Sequence, residues 1–169
     1  MSMPFLAMLV FFPGAMAYAA ASDLVSMTIS NRLCLLLFAG FIVCATLAGL
    51  SPQQFAAHVA AGALVLTLCF GLFAAGWIGG GDAKLAAVTA LWFGFDQLVP
   101  YLAYAAIFGG FLTFAIVTLR SSPLPDFAGW PWLRRLHSAK EGVPYGIALA
   151  FSALLVLPET PIWRAALAG

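Results

Sequence analysis

Ile78-Gly79-Gly80-Gly81-Asp82-Ala83-Lys84-Leu85 places an acid, Asp82, between two strongly apolar segments, about 54–78 and 83–95. Only 8% of the 169 residues are charged and 64% are hydrophobic, so a carboxylate there needs a reason. A charge at bilayer depth costs roughly 2.5–3.5 kcal/mol on insertion scales, and such residues usually serve a function. Three glycines before the acid let the backbone bend or approach another group closely, at less steric cost than any other residue.

Working outward, further apolar segments cover about 3–21, 33–50, 98–119 and 143–158, making six in all. Stretches of about 18 or more apolar residues are membrane-span candidates. A mean hydropathy of +1.05 leaves too little polar surface to face water. The expected fold is all-α, a polytopic membrane bundle of about six transmembrane helices in one domain over residues 1–169. The fourth segment is short: a helix from Lys84 to Phe95 rises about 18 Å against a hydrocarbon core of about 30 Å. We expect it to continue past Asp96 toward Pro100. The first segment ends in Ala-Tyr-Ala-Ala-Ala-Ser, like a signal peptide, but has no basic start and too long an apolar stretch, so it reads as a span.

The net charge of +1 says nothing about nucleic acid, and with no basic domain in the sequence no nucleic-acid partner is expected. Cys34, Cys44 and Cys69 are single residues inside apolar runs, which suits packing rather than a disulfide framework or zinc. Arg32, Lys84, Arg120, Arg134, Arg135 and Lys140 all fall in odd-numbered loops, and only Arg164 lies opposite. Basic residues concentrate on the cytoplasmic side of membrane proteins. That face then also holds Asp23 and Asp82. Two carboxylates held together share a proton, so one takes a proton from water while the other donates to a carbonyl oxygen. Peptide hydrolysis needs that combination. Taken singly, Asp82 also suits a helix cap and Asp23 a polar loop after the first helix.

These residues resemble the type IV prepilin leader peptidase family, membrane aspartyl proteases with a Gly-x-Gly-Asp motif. Gly79, Gly81, Asp82, Lys84 and Leu85 match its second-aspartate motif. Asp23, Ile29 and Asn31 fit the spacing of its first, with Ser30 where Pro is usual, which removes the ring that fixes the local backbone. Val143-Pro144-Tyr145-Gly146 is similar to a third family segment. The resemblance implies Asp23 and Asp82 as the catalytic pair, no metal or organic cofactor, and a location in the bacterial inner membrane. It implies a prepilin-like substrate whose charged leader is cut just before an apolar helix, at the cytoplasmic face. Full-length members carry a cytoplasmic domain with paired Cys-x-x-Cys motifs, associated with methylation. The first loop here has about ten residues and no Cys, similar to the short peptidase-only forms of tight-adherence (Flp) pili.

Neighbouring residues keep two readings each. Asn31 holds the loop around Asp23 or caps the next helix. Lys84 snorkels to head groups or pairs with a carboxylate. Trp130-Pro131-Trp132-Leu133-Arg134-Arg135 anchors at the interface or forms a short amphipathic helix that guides substrate. His58 and His137 read as structural, although a ring inside a membrane helix wants a partner. The alternative function is a small transporter or channel subunit, with a proton or cation path running inward from Asp82 through His58 or Asp96. A signal-peptide-peptidase or presenilin relative ranks low, because its Tyr-Asp and Pro-Ala-Leu motifs are missing.

Overall fold

A computed structural model describes residues 3–123, 130–161 and 163–164, with side chains from Leu9 onward. Helices form α1 (Met3–Ser26), α2 (Asn31–Leu47), α3 (Pro52–Ala74), α4 (Gly80–Arg120), α5 (Pro131–His137) and α6 (Tyr145–Val156), followed by a 3-10 turn at Leu157–Glu159. No strand occurs among the described residues. Three helical stretches are long and apolar enough to cross a membrane, Leu9–Ser26, Pro52–Ala74 and Gly80–Arg120, and α2 and α6 are shorter apolar helices. The outward-facing residues fit a lipid environment: Leu35, Phe70, Val99, Phe111 and Phe114 are 64–73% exposed. Water would penalise that much apolar surface, and hydrocarbon does not.

Cap chemistry fixes where the helices stop. Gly49 (φ 68°) and Gly76 (φ 76°) take the left-handed conformation just past α2 and α3. Around them, Leu50 N–H donates to Ala45 O and Trp77 N–H to Leu72 O, closing a Schellman motif at each end. These two helices therefore end at Leu47 and Ala74, short of the 50 and 78 expected from hydropathy. Ser51 and Gln54 form a capping box that starts α3 at Pro52. By contrast, α1 runs five residues beyond the expected 21, so Asp23 lies within a helix and not in a loop.

The fourth and fifth apolar segments are joined by a single residue, with no loop between them. Gly94 has φ 62° and ψ −169°, a conformation open essentially to glycine alone. It splits α4 into a short limb, Gly80–Phe93, and a long limb, Phe95–Arg120. The short limb rises about 21 Å. Beyond the break the chain folds back: the Phe93 and Tyr101 rings meet at 5.1 Å. Farther along, Thr113 Oγ1 lies 3.0 Å from Tyr145 Oη, at the start of α6. The turn expected past Asp96, toward Pro100, thus falls earlier, at Gly94. Counting both limbs, six apolar rods form the bundle.

Aromatic packing holds the interior. Trp92 sits 4.7 Å from the Phe12 ring and 6.1 Å from that of Phe41, and its Nε1–H donates to Leu37 O at 3.0 Å. His58 is buried at the hairpin bend. Its Nδ1 lies 2.8 Å from Leu91 O, and since a carbonyl only accepts, Nδ1 carries the proton. The same ring packs against Gly94, where an added Cβ would meet it at 3.1 Å.

Candidate active site

Asp23 stands in the last turn of α1 and is 4% exposed. Its Oδ2 accepts a 2.7 Å hydrogen bond from the backbone N–H of Gly146, the second residue of α6. Burying a carboxylate is costly unless donors satisfy it, and this amide supplies one. Asp82 lies in the first turn of α4, partly buried. The helix cap itself is Gly79, and the Asp82 carboxylate reaches back to the Gly79 amide. Asp82 is therefore not the cap residue expected from the sequence but belongs to the first turn of the helix. The Gly146 amide also lies within range of Asp82, and Asp23 is close enough to act on Asp82 electrostatically. Acids from two helices thus come near each other beside the start of a third, whose Gly146 N–H binds Asp23.

Glycines make that convergence sterically feasible. A Cβ on Gly146 would lie 2.8 Å from Asp23 Oδ2, 3.0 Å from Asp23 Cβ and 2.9 Å from Ile29 Cδ1. A Cβ on Gly81 would lie 3.2 Å from Ile29 Cβ and 3.3 Å from its backbone nitrogen. Ile29, 8% exposed, is the wedge that fits between these two glycines. Gly79 has φ −72°, so the triple glycine serves close approach here, and the left-handed bend falls earlier, at Gly76.

The link from α1 to α2 holds the first acid's neighbourhood in place. Met27 (φ 53°) leaves the helix with its N–H on Asp23 O at 2.8 Å. Ser30 caps α2 by accepting from Leu33 N–H, with φ −71° and ψ 142°. That φ matches the value a proline ring imposes. Serine therefore keeps the Pro-like backbone and adds a cap. Asn31 is the first residue of α2, and its Oδ1 accepts from Lys84 Nζ at 2.9 Å. The carboxylate partner expected for Lys84 is replaced by this amide. Among the described residues, the only ion pair joins Arg164 and Glu159, away from the site.

Pro144 is buried and Tyr145 reaches Thr113, so the third motif fixes the start of α6 against the long limb of α4. Sequence reasoning missed Thr113, which carries no motif of its own. It also missed two arginine clamps. Arg120 donates to the carbonyls of Leu136, Glu141 and Gly142 just before that motif. Arg135, on α5, donates from Nη1 to Val25 O at 2.9 Å, two residues past Asp23. The fifth loop does contain the short helix expected as one reading, with Trp130 and Trp132 stacked and Trp130 exposed. Residues 124–129 of that loop lie outside the described residues. Of the polar groups expected on an inward path, His58 is engaged at the hairpin bend and Asp96 is exposed.

Residues 10–114 match the model of the type IV leader peptidase family. The match spans Asp23, Ile29, Asn31 and Gly79–Lys84, and ends before Val143–Gly146. No curated protein and no solved structure matches the chain.

Proposed function

The chain belongs to the type IV leader peptidase family, whose members are aspartic-type prepilin peptidases, and from that premise we propose that Asp23 and Asp82 are its catalytic pair. The observation that carries this reading is the Gly146 N–H, bonded to Asp23 and within range of Asp82. Two carboxyl groups close enough to act on each other resist double ionisation, which suits a pair that carries one proton between them. The ionised acid takes a proton from a water held between them as the water oxygen attacks the scissile carbonyl. The protonated acid donates to the carbonyl oxygen. The acid that took the water proton then gives it to the leaving nitrogen, while the other acid takes a proton from a hydroxyl of the tetrahedral intermediate. This breaks the C–N bond, releases a carboxylic acid and an amine, and restores the pair.

The substrate is a prepilin-like protein with a charged leader before an apolar helix, and cleavage falls at the cytoplasmic face of the inner membrane. Support comes from the basic residues, six of seven of which belong to the loops on the side of both acids. Lying at helix ends, Asp23 and Asp82 suit a bond at head-group depth, with the substrate's apolar helix still in lipid. The residues quoted form a peptidase unit, and no methylation chemistry is assigned to them.

The test is leader removal from a co-expressed prepilin by Asp23→Asn and Asp82→Asn, each inserted and folded. Both should lose cleavage. Wild-type processing by either variant would sink the pair. Inward proton or cation flux into vesicles, abolished by Asp82→Asn while cleavage persists, would favour the transporter reading.

A further inference from the structure

A groove of about 560 Å³ opens on the outer side of α4, between α2 and α3. Leu35 and Phe38 on α2, Val59 and Leu66 on α3, and Val88 and Leu91 on α4 form its walls. Each helix contributes two turns, and the sole polar residues are Asn31 and Lys84, at one end. Gly62, Ala63 and Ala87 give it a smooth base, where α3 and α4 approach so closely that a Cβ on Gly62 would meet Ala87 O at 3.2 Å. At 3.6 residues per turn, Lys84 lies about 200° around the helix from Asp82. The groove therefore faces lipid and turns away from the carboxylates.

We propose that this groove binds an anionic phospholipid, with its phosphate on Lys84 and Asn31 and its acyl chains along the apolar walls. Lys84 Nζ uses one donor on Asn31 Oδ1. That bond leaves two ammonium hydrogens on Lys84 and the Asn31 Nδ2 hydrogens as further donors at the same end of the groove. Phosphate oxygens satisfy such a set of donors with charge assistance. Arg32, exposed beside Asn31, adds positive charge at the same level. A choline head group would bring a third cation there, so a net negative lipid is preferred. The 200° offset argues against the substrate's helix as occupant, because its scissile bond would then lie across α4 from the acids.

Purified protein in nanodiscs of equimolar phosphatidylcholine and phosphatidylglycerol, released for native mass spectrometry, tests the site. Wild type should retain one phosphatidylglycerol in preference to phosphatidylcholine. Lys84→Gln removes the charge and Ala63→Trp fills the groove; each should cut that retention roughly tenfold. Should Ala63→Trp fail to fold, Val59→Trp, which is 42% exposed in the wild type, fills the same space. Equal retention by wild type and these variants overturns the proposal, as does equal retention of the two lipids. With Cys44 and Cys69 replaced by Ala, Cys34 remains as a thiol in the groove wall. It should form no disulfide with single cysteines along the apolar helix of a co-expressed prepilin. Cross-linking at a helical period would give the groove to the substrate instead. Both readouts are independent of peptidase activity.

Discussion

Lys84 Nζ donates to Asn31 Oδ1 across 2.9 Å, tying the first turn of α4 to the first turn of α2. Each residue sits close in sequence to one of the acids, Lys84 two residues past Asp82 and Asn31 after the turn that follows Asp23. The bond is the one side-chain hydrogen bond between those two turns among the described residues. Ile29 packing on Gly81 supplies the apolar half of the same joint.

If that joint sets the relative position of the two acids, Asn31→Ala and Lys84→Met should each lower kcat for leader cleavage, by roughly tenfold for a loss of about 1.5 kcal/mol. The double variant should be little worse than either single one. Asn31→Asp keeps an acceptor for Lys84 and should recover most of the rate. Additive losses in the double variant would show that the two residues act separately.

Gly146→Ala places a methyl 2.8 Å from Asp23 Oδ2, with the Asp23 and Ile29 carbons equally close. Two neighbours, Asp23 on α1 and Ile29 in the link to α2, would have to move. Overpacking of that kind costs about 1–3 kcal/mol, and we expect cleavage to fall at least about tenfold. Gly110→Ala, where a Cβ meets nothing within 4 Å, should leave cleavage unchanged. Measuring both in one substrate assay separates crowding at the acids from any general intolerance of alanine.

The hairpin bend depends on a conformation that only glycine adopts readily. Gly94→Ala should lower the thermal midpoint in detergent, for a strain of about 1–3 kcal/mol. His58→Phe keeps the ring but removes the donor to Leu91 O, and should destabilise by about 1–3 kcal/mol through the unmet carbonyl. Both changes lie at the end of the bundle away from the acids. An unchanged midpoint for His58→Phe would mean that Leu91 O finds another donor.

Ser30→Ala should cost about 1 kcal/mol of stability, because Leu33 N–H loses its cap. Ser30→Pro loses the same cap, but φ −71° suits the ring, and pre-setting the backbone returns about 0.4–1 kcal/mol. The proline variant should therefore melt above the alanine variant. The reverse order would show that the loop cannot take a ring.

The two arginines of α5 should behave differently. Arg135→Ala removes the bond to Val25 O and should slow cleavage by roughly threefold to tenfold, for about 1 kcal/mol. Arg134 is exposed and makes no side-chain bond among the described residues, so Arg134→Ala should leave the rate near wild type. A large loss for Arg134→Ala would instead point to substrate guidance by this loop.

Composition and hydropathy alone determined that this is an all-α membrane bundle, because long continuous apolar runs satisfy their backbones in lipid as helices, whereas barrel strands are short and alternate apolar with polar residues. Local sequence also marked the acids, since a charge in an apolar setting and the spacing to Ile29 and Asn31 are visible without coordinates. Helix ends were less legible: Gly49 and Gly76 stop α2 and α3 through backbone bonds that hydropathy does not register. The place of the turn between the fourth and fifth segments was hidden for a related reason, as one glycine in an apolar run reads as helix until its dihedral angles are known.

What only the tertiary structure decided is which residues meet. The approach of Asp23 and Asp82 to the Gly146 amide, the Ile29 wedge and the Lys84–Asn31 bond join segments far apart in the chain. Sequence patterns report which face of a helix is apolar, and they carry no information on which neighbour that face selects. Here the selection comes from close packing: glycines at 81 and 146 let three backbones approach, and side chains of matching size and polarity occupy what remains.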